Sequence, residues 1–240
     1  MAILEIKNLE KQYGSKKVVC GLDISIEKGE IVGLLGPNGA GKTTSFYMTM
    51  GLVKHDRGTI HFKEQDISNF PVHKRAQLGM GYLSQEPSVF QDLTVKENIL
   101  LILENQNLSK DQQEERLGAL LQELNLSHLK DQKAATLSGG ERRRLEITRS
   151  LVNNPDILLL DEPFANIDPI TIQELKKLII QLTKKGITIL ITDHNAREIF
   201  SICNRIYLIQ EGRVSFCGTA KELLENQEAR ATYLGDEFSL

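Results

Sequence analysis

No stretch of this 240-residue chain is apolar for long enough to cross a membrane. Its longest apolar runs, IVGLL, ILLL, ITILIT and ILLIL, fall far short of the roughly 18 residues that a spanning helix needs. Any work at a membrane requires a different chain to do the spanning. Basic excess is missing too: 29 Lys and Arg stand against 32 Asp and Glu, a net charge of −3. That removes the electrostatic footprint of a nucleic-acid binder. Cysteine is scarce. Cys20, Cys203 and Cys217 have no metal-ligand spacing and read as free thiols of a reducing cytosol. The opening residues, MAILEIKNLEKQYG, interleave charges in a strand-like pattern rather than forming an apolar leader. Tandem repeats and low-complexity linkers are absent as well. What remains is an ordinary globular composition, 40% hydrophobic and 25% charged, able to form a core without disulfides or metal. The length suits one domain, with or without a subdomain.

Strands and helices alternate along the chain, which predicts an α/β fold around a mostly parallel sheet. ILEIKNL, VVCGLDISIE and EIVGLLG read as short strands, as do RGTIHF and GMGYLSQ. DILLLD and ITILITDH are almost wholly apolar before their last polar residues, the mark of central strands buried on both faces. From about residue 88 to about 153 the pattern turns helical: TVKENILLILENQ, then SKDQQEERLGALLQELNL with Ser109 and Gln112 in capping-box spacing, then LSGGERRRLEITRSLVNN. This reads as a helical insertion, because strand DILLLDEP resumes the sheet straight afterwards. Asp168 and Pro169 open a further helix that runs to about Lys184 and ends at Gly186. RIYLIQEGRVSFCG reads as a hairpin turning at Glu211-Gly212, GTAKELLEN as a last helix, and about 225–240 as a C-terminal tail.

GPNGAGKT at 36–43 follows a strand and opens a helix, the setting in which G-x-x-x-x-G-K-[ST] grips phosphate. Gly36, Pro37, Asn38, Gly39, Ala40 and Gly41 let the backbone curl so that its N–H groups meet phosphate oxygens, helped by the helix N-terminus that Thr44 joins. Lys42 reaches the β- and γ-phosphates, and the Thr43 hydroxyl is placed for Mg²⁺. ILLLDEP at 157–163 ends in two carboxylates: Asp161 to hold Mg²⁺ through its water shell, Glu162 to polarise an attacking water. His194 follows another buried strand and belongs near the γ-phosphate. Gln85, at the junction before the helical segment, has an amide suited to Mg²⁺ or to the water. Tyr13, the only aromatic of LEKQYGSKK, is placed to stack on a base. His55, His61, His73 and His128 lie in polar or loop contexts and carry no assignment.

LSGGERRR at 137–144 is a second anion grip, a helix N-terminus with a serine and two bare backbone positions, Ser138, Gly139 and Gly140. Since Lys42, the loop amides and Mg²⁺ already fill the first site, this grip belongs to the nucleotide of another copy. A head-to-tail homodimer makes the exchange reciprocal. The set Tyr13, GPNGAGKT, Gln85, LSGGE, ILLLDEP, the ANID segment ending at Asp168, and His194 resembles the ATP-binding cassette (ABC) ATPases over essentially the whole chain. The resemblance implies a P-loop NTPase (RecA-like) core with an N-terminal antiparallel β subdomain and an inserted ABC helical subdomain, residues 1–240 being a single ABC ATPase domain. It also implies ATP and Mg²⁺ as cofactors, an ATP-sandwich dimer, hydrolysis that drives a membrane partner, and an Asp168 loop that communicates across the dimer. Separate transmembrane permease subunits would dock near Pro87–Phe90, holding the chain on the cytoplasmic face of the inner membrane.

Within that family, LSGGERRRLEI, LLDEPFANIDPI, LITDHNARE and YLGDEFSL are similar to the ATPases of lipopolysaccharide exporters. The branched-chain amino-acid importer ATPases are the neighbouring group. Asn166 stands where the exporter group usually has Gly, Thr148 where it has Ala, Ser84 where Pro is common and Gln91 where a basic residue is usual. ABC ATPases acting on DNA or ribosomes differ by long coiled coils or paired cassettes, and an inactive regulatory subunit would be expected to lack Lys42, Glu162 or His194.

Overall fold

The computed structural model describes residues 2–234. The chain begins with β1 (Ala2–Tyr13), β2 (Lys16–Glu27) and β3 (Ile31–Leu35), then α1 (Lys42–Met50), β4 (Arg57–Phe62), β5 (Gln65–Asp66), α2 (Val72–Gln77) and β6 (Met80–Leu83). Three helices follow, α3 (Val95–Leu103), α4 (Lys110–Glu123) and α5 (Gly139–Leu151). After them come β7 (Ile157–Asp161), α6 (Pro169–Lys184), β8 (Thr188–Thr192), α7 (Ala196–Phe200), β9 (Arg205–Gln210), β10 (Arg213–Gly218) and α8 (Ala220–Glu225).

Two sheets form. The smaller is antiparallel in the order β2-β1-β4-β5, and the larger has the order β10-β9-β3-β8-β7-β6. In the larger sheet every pairing is parallel except β10 with β9. Its central strands bury every residue, and their alternation sorts side chains into two cores. Leu158, Leu160, Ile189 and Ile191 face the core that α5, α6 and α7 close. Ile157, Leu159 and Leu190 face the core shared with α1 and the smaller sheet, where Phe46 and Met48 pack. The apolar runs of the sequence are strands with two buried faces, as their composition predicts.

The N-terminal strands are longer than their hydrophobic pattern suggests. β1 and β2 run 12 residues each, with register shifts between Ile6 and Leu9 and again between Leu9 and Glu10, and Asn8 has φ 47. Bulges break the two-residue period, so the pattern alone splits one strand into pieces. The predicted hairpin does turn at Glu211 and Gly212, with φ of 47 and 75, as a two-residue primed turn requires. Capping boxes start α3 at Thr94, α4 at Ser109, α5 at Ser138 and α8 at Thr219.

Helix α2 has no counterpart in the sequence reading. Its residues, VHKRAQ, lack an apolar period, and its purpose is Arg75. This side chain is 2% exposed and donates to the carbonyls of Met48 (2.8 Å), Thr49 (2.6 Å), Ser68 (3.0 Å) and Phe70 (2.8 Å). The first two are carbonyls of the last turn of α1, that of Met48 also accepting from the Gly51 amide at 3.1 Å, so a buried cation helps cap the helix that opens at the phosphate loop. Burial lowers the Arg75 pKa to about 10. We expect Arg75→Met to cost about 3 kcal/mol in urea unfolding, since an apolar chain of similar volume removes a buried donor from four carbonyls at once. A loss below about 1 kcal/mol would show that the cap is dispensable.

Candidate active site

Because β3, β8, β7 and β6 are parallel, their carboxyl ends share one edge, where open α/β sheets place ligands. The phosphate loop follows β3. Gly36 has φ 152, and a Cβ there would lie 2.2 Å from the Ile209 carbonyl. Gly41 has φ 101, and its Cβ would meet the Val18 carbonyl at 2.7 Å. Only glycine permits both the turn and the close approach. Lys42 opens α1 and is buried, its Nζ donating to the carbonyls of Gly36 (2.6 Å) and Pro37 (3.0 Å). Burial lowers its pKa, opposed by the carboxylates of Glu162, Asp161 and Asp193.

Asp161 ends β7 and is fully buried. Burial and then the neighbouring Glu162 charge push its carboxyl up to about 6. Oδ2 accepts from the Tyr82 hydroxyl at 3.4 Å, whereas buried Oδ1 has no hydrogen-bond partner. An orphaned carboxylate oxygen on the edge that carries the phosphate loop is a hard-oxygen donor of the kind that suits Mg²⁺. The residues present therefore fit that ion.

Glu162 leaves the strand in the left-handed region, φ 47, so the two carboxylates do not follow the usual alternation. Gln85 Nε2 donates to Glu162 Oε2 at 2.8 Å. His194 Nδ1 lies 3.7 Å from the same oxygen and 3.6 Å from Asp193 Oδ1. Asp193, itself buried, accepts from the Asn195 and Phe164 amides. Gln85, Glu162 and His194 thus come together, from β6, β7 and β8, on the edge that carries Lys42. Gln85 lies two residues past the end of β6 rather than at its last position.

The signature helix α5 is a different case. Ser138 caps it, with Oγ accepting from the Glu141 amide at 3.3 Å and donating to its carboxylate at 2.8 Å. Ser138 and Gly139 are exposed, and nothing lies within 4 Å of a Cβ built on Gly139. Gly140 is buried, and its Cβ would strike Thr171 Cγ2 at 2.4 Å, so this glycine also serves helix packing. With the Glu141 amide taken, the amides of Gly139 and Gly140 are the first-turn donors left for an anion. Among the described residues, none of the three hydrogen-bonds to the phosphate loop of its own chain. Asp168 caps α6 through the amides of Ile170 and Thr171. Tyr13 ends β1, 49% exposed, with its ring open for stacking and Lys11 Nζ at 5.3 Å from the centroid.

The three arginines of LSGGERRR take separate partners. Arg144 pairs with Glu174 at 2.6 Å, and Arg142 donates to the Leu137 carbonyl. Arg143 is the one that matters for the site. It is buried, paired with Glu146 at 2.8 Å, and donates to the carbonyls of Ser84, Asp161, Glu162 and Pro163. Three of the four departures noted in the sequence also find their places. Asn166 has φ 58, a left-handed position where Gly is best and Asn the natural substitute. The Thr148 hydroxyl donates to the Arg144 carbonyl, and the Ser84 hydroxyl to that of Glu86.

Phe90 is 49% exposed, with the Arg149 guanidinium 5.1 Å from its ring centroid. Arg149 donates to the Ser88 carbonyl. Beside this segment a cavity of about 270 Å³ opens between α2, β6 and α5, lined by Val72, Tyr82, Ser88 and Arg149 among others. Of the tail, Tyr233 packs on the core, and burial raises its pKa to about 12. The rest of the predicted tail, 235–240, lies outside the described residues.

Residues 19–165 match the family model described as ABC transporter. The lipopolysaccharide export system ATP-binding protein LptB of Haemophilus influenzae is 48% identical over 241 residues, and that of Escherichia coli K12 is 46% identical, each match covering 100% of both chains. The ADP conformation of an ATP-binding cassette of an ABC transporter superposes with a TM-score of 0.88 at 30% identity, over 98% of this chain and 100% of that one. Likeness of this extent makes it a member of the ABC transporter family.

Proposed function

We propose that this chain is the ATP-hydrolysing, nucleotide-binding subunit of a lipopolysaccharide exporter. It works as a homodimer on the cytoplasmic face of an inner membrane, under separate transmembrane subunits. The observation that carries the hydrolytic reading is Glu162 Oε2 held by Gln85 at 2.8 Å, with His194 at 3.7 Å, on the edge that carries Lys42. Full-length likeness to LptB proteins supports the exporter over the amino-acid importer. No helix among the described residues is long and apolar enough to cross a membrane. The spanning therefore falls to other chains, and exposed Phe90 beside the cavity at Ser88 and Arg149 is the surface on which they dock.

The chemistry follows from the residues. Gln85 holds one oxygen of Glu162, the carboxylate takes a proton from the water attacking the γ-phosphate, and His194 positions that phosphate. Lys42 exchanges its loop carbonyls for phosphate oxygens and, with the loop amides, stabilises the equatorial charge. Thr43, Gln85 and Asp161 would hold Mg²⁺, which when bound neutralises charge on the phosphates. Tyr13 stacks on the base. The open amides of Gly139 and Gly140 and the hydroxyl of Ser138 complete the site of the second copy, which makes every active site a product of two chains.

We expect Glu162→Gln to bind ATP and accumulate as a dimer while turnover falls about 10²–10⁴-fold; steady-state hydrolysis within a few-fold of wild type would end the assignment. Composite sites have a sharper consequence. Lys42→Ala and Ser138→Arg should each be inactive alone, yet a mixture should recover activity. Half of randomly paired dimers are mixed, and each mixed dimer holds one intact site of two, so recovery approaches about a quarter of wild type. A mixture no more active than its separate components would place each site within one chain.

A further inference from the structure

Tyr82 belongs to no motif. Its position on β6, opposite Leu159 of β7, brings one rigid side chain against three things at once. Tyr82 is one of the residues that line the cavity between α2, β6 and α5. Its ring meets Tyr47 of α1 edge-on, centroids 6.5 Å apart and planes at 86°, so it touches the helix that opens at the phosphate loop. Its hydroxyl donates to Asp161 Oδ2 at 3.4 Å. The backbone is held too: the Tyr82 carbonyl accepts from Ser150 Oγ at 3.2 Å, near the end of the helix that Ser138 begins.

From this placement we infer that Tyr82 is a positioning residue: it orients the Asp161 carboxylate toward Mg²⁺ and links that orientation to the membrane subunit docked at the cavity. The inference rests on the Mg²⁺ and docking readings proposed above. Two features argue for it. Oδ1 of Asp161 is buried without a partner, so the Tyr82 bond on Oδ2 is the side-chain contact that sets the carboxylate plane, while Arg143 holds only the Asp161 backbone carbonyl. And 3.4 Å is a long hydrogen bond, which a small shift of the cavity wall shortens or breaks. A phenol has few ways to yield: its ring is stiff, and Tyr47 blocks rotation on one side. An occupant pressing on Tyr82 therefore displaces the hydroxyl relative to Asp161.

Hydrogen-bond partners of metal ligands set metal affinity, and their loss typically weakens binding about 10–100-fold. The test uses Tyr82→Phe, which keeps the ring and removes the hydroxyl. In the isolated full-length chain, melting temperature is followed at fixed ADP while Mg²⁺ is raised, since a bound ligand stabilises in proportion to its occupancy. We expect the Mg²⁺ midpoint to rise about ten-fold in the variant, with the melting temperature free of nucleotide unchanged within about 2 °C. An unchanged midpoint overturns the inference, and if melting falls instead, Tyr82 is a packing residue only. In the complete transporter, Tyr82→Phe should also flatten the stimulation of hydrolysis that the membrane subunits give. A raised midpoint with full stimulation would overturn the link to the cavity. Neither failure touches the assignment of Glu162, which stands or falls on its own variant.

Discussion

One buried guanidinium fixes the geometry on which the catalytic edge depends. Arg143 leaves the signature helix, pairs with Glu146 and spends its remaining hydrogens on the carbonyls of Ser84, Asp161, Glu162 and Pro163. A cation at this depth is tolerated because every donor direction finds an acceptor and a carboxylate lies beside it. The turn after β7 is left-handed at Glu162, and a backbone in that region persists only where its surroundings over-determine it. Arg143 supplies that determination. It also welds the base of the helical insertion to the sheet edge, so that Gln85 approaches Glu162 from a segment the same arginine holds at Ser84.

Much of this arrangement was legible beforehand, and the reason is local. The strands of the phosphate loop, of Asp161 and of His194 are buried on both faces, so an unbroken apolar run marks each, and the chemistry-bearing residue follows directly. Parallel pairing then brings their ends together. Arg143, Arg75 and Tyr82 were not legible, for one shared reason. Most of what the two arginines touch is backbone carbonyl, and a carbonyl has no residue identity, so no complementary letter stands in the sequence. The bond of Tyr82 to Asp161 spans 79 positions, and no spacing rule reaches that far. In β1 and β2 the obstacle was different: bulges shifted the period that sequence reading relies on.

The two glycine-bearing motifs carry their glycines for unlike reasons. In the phosphate loop the backbone itself approaches neighbouring carbonyls, and side chains are excluded by contact and by φ. In the signature, Gly140 makes room for Thr171 while Gly139 faces empty space in its own chain. A bare position with nothing against it has no packing reason within the monomer. Asn166 carries the same lesson in reverse, since a left-handed φ of 58 accepts asparagine at small cost where a bulkier side chain would strain.

The left-handed backbone at Glu162 has a consequence for heredity. A β-branched residue there would fight the turn as well as the chemistry, and would disturb the carbonyls that Arg143 holds. Glutamine keeps the length, the turn and the fold. The simplest lesion that silences the chain is therefore one that leaves it well formed and able to pair. Under the proposed pairing such a copy still joins intact ones, and each mixed assembly keeps one working site of two, so its allele lowers output without abolishing it.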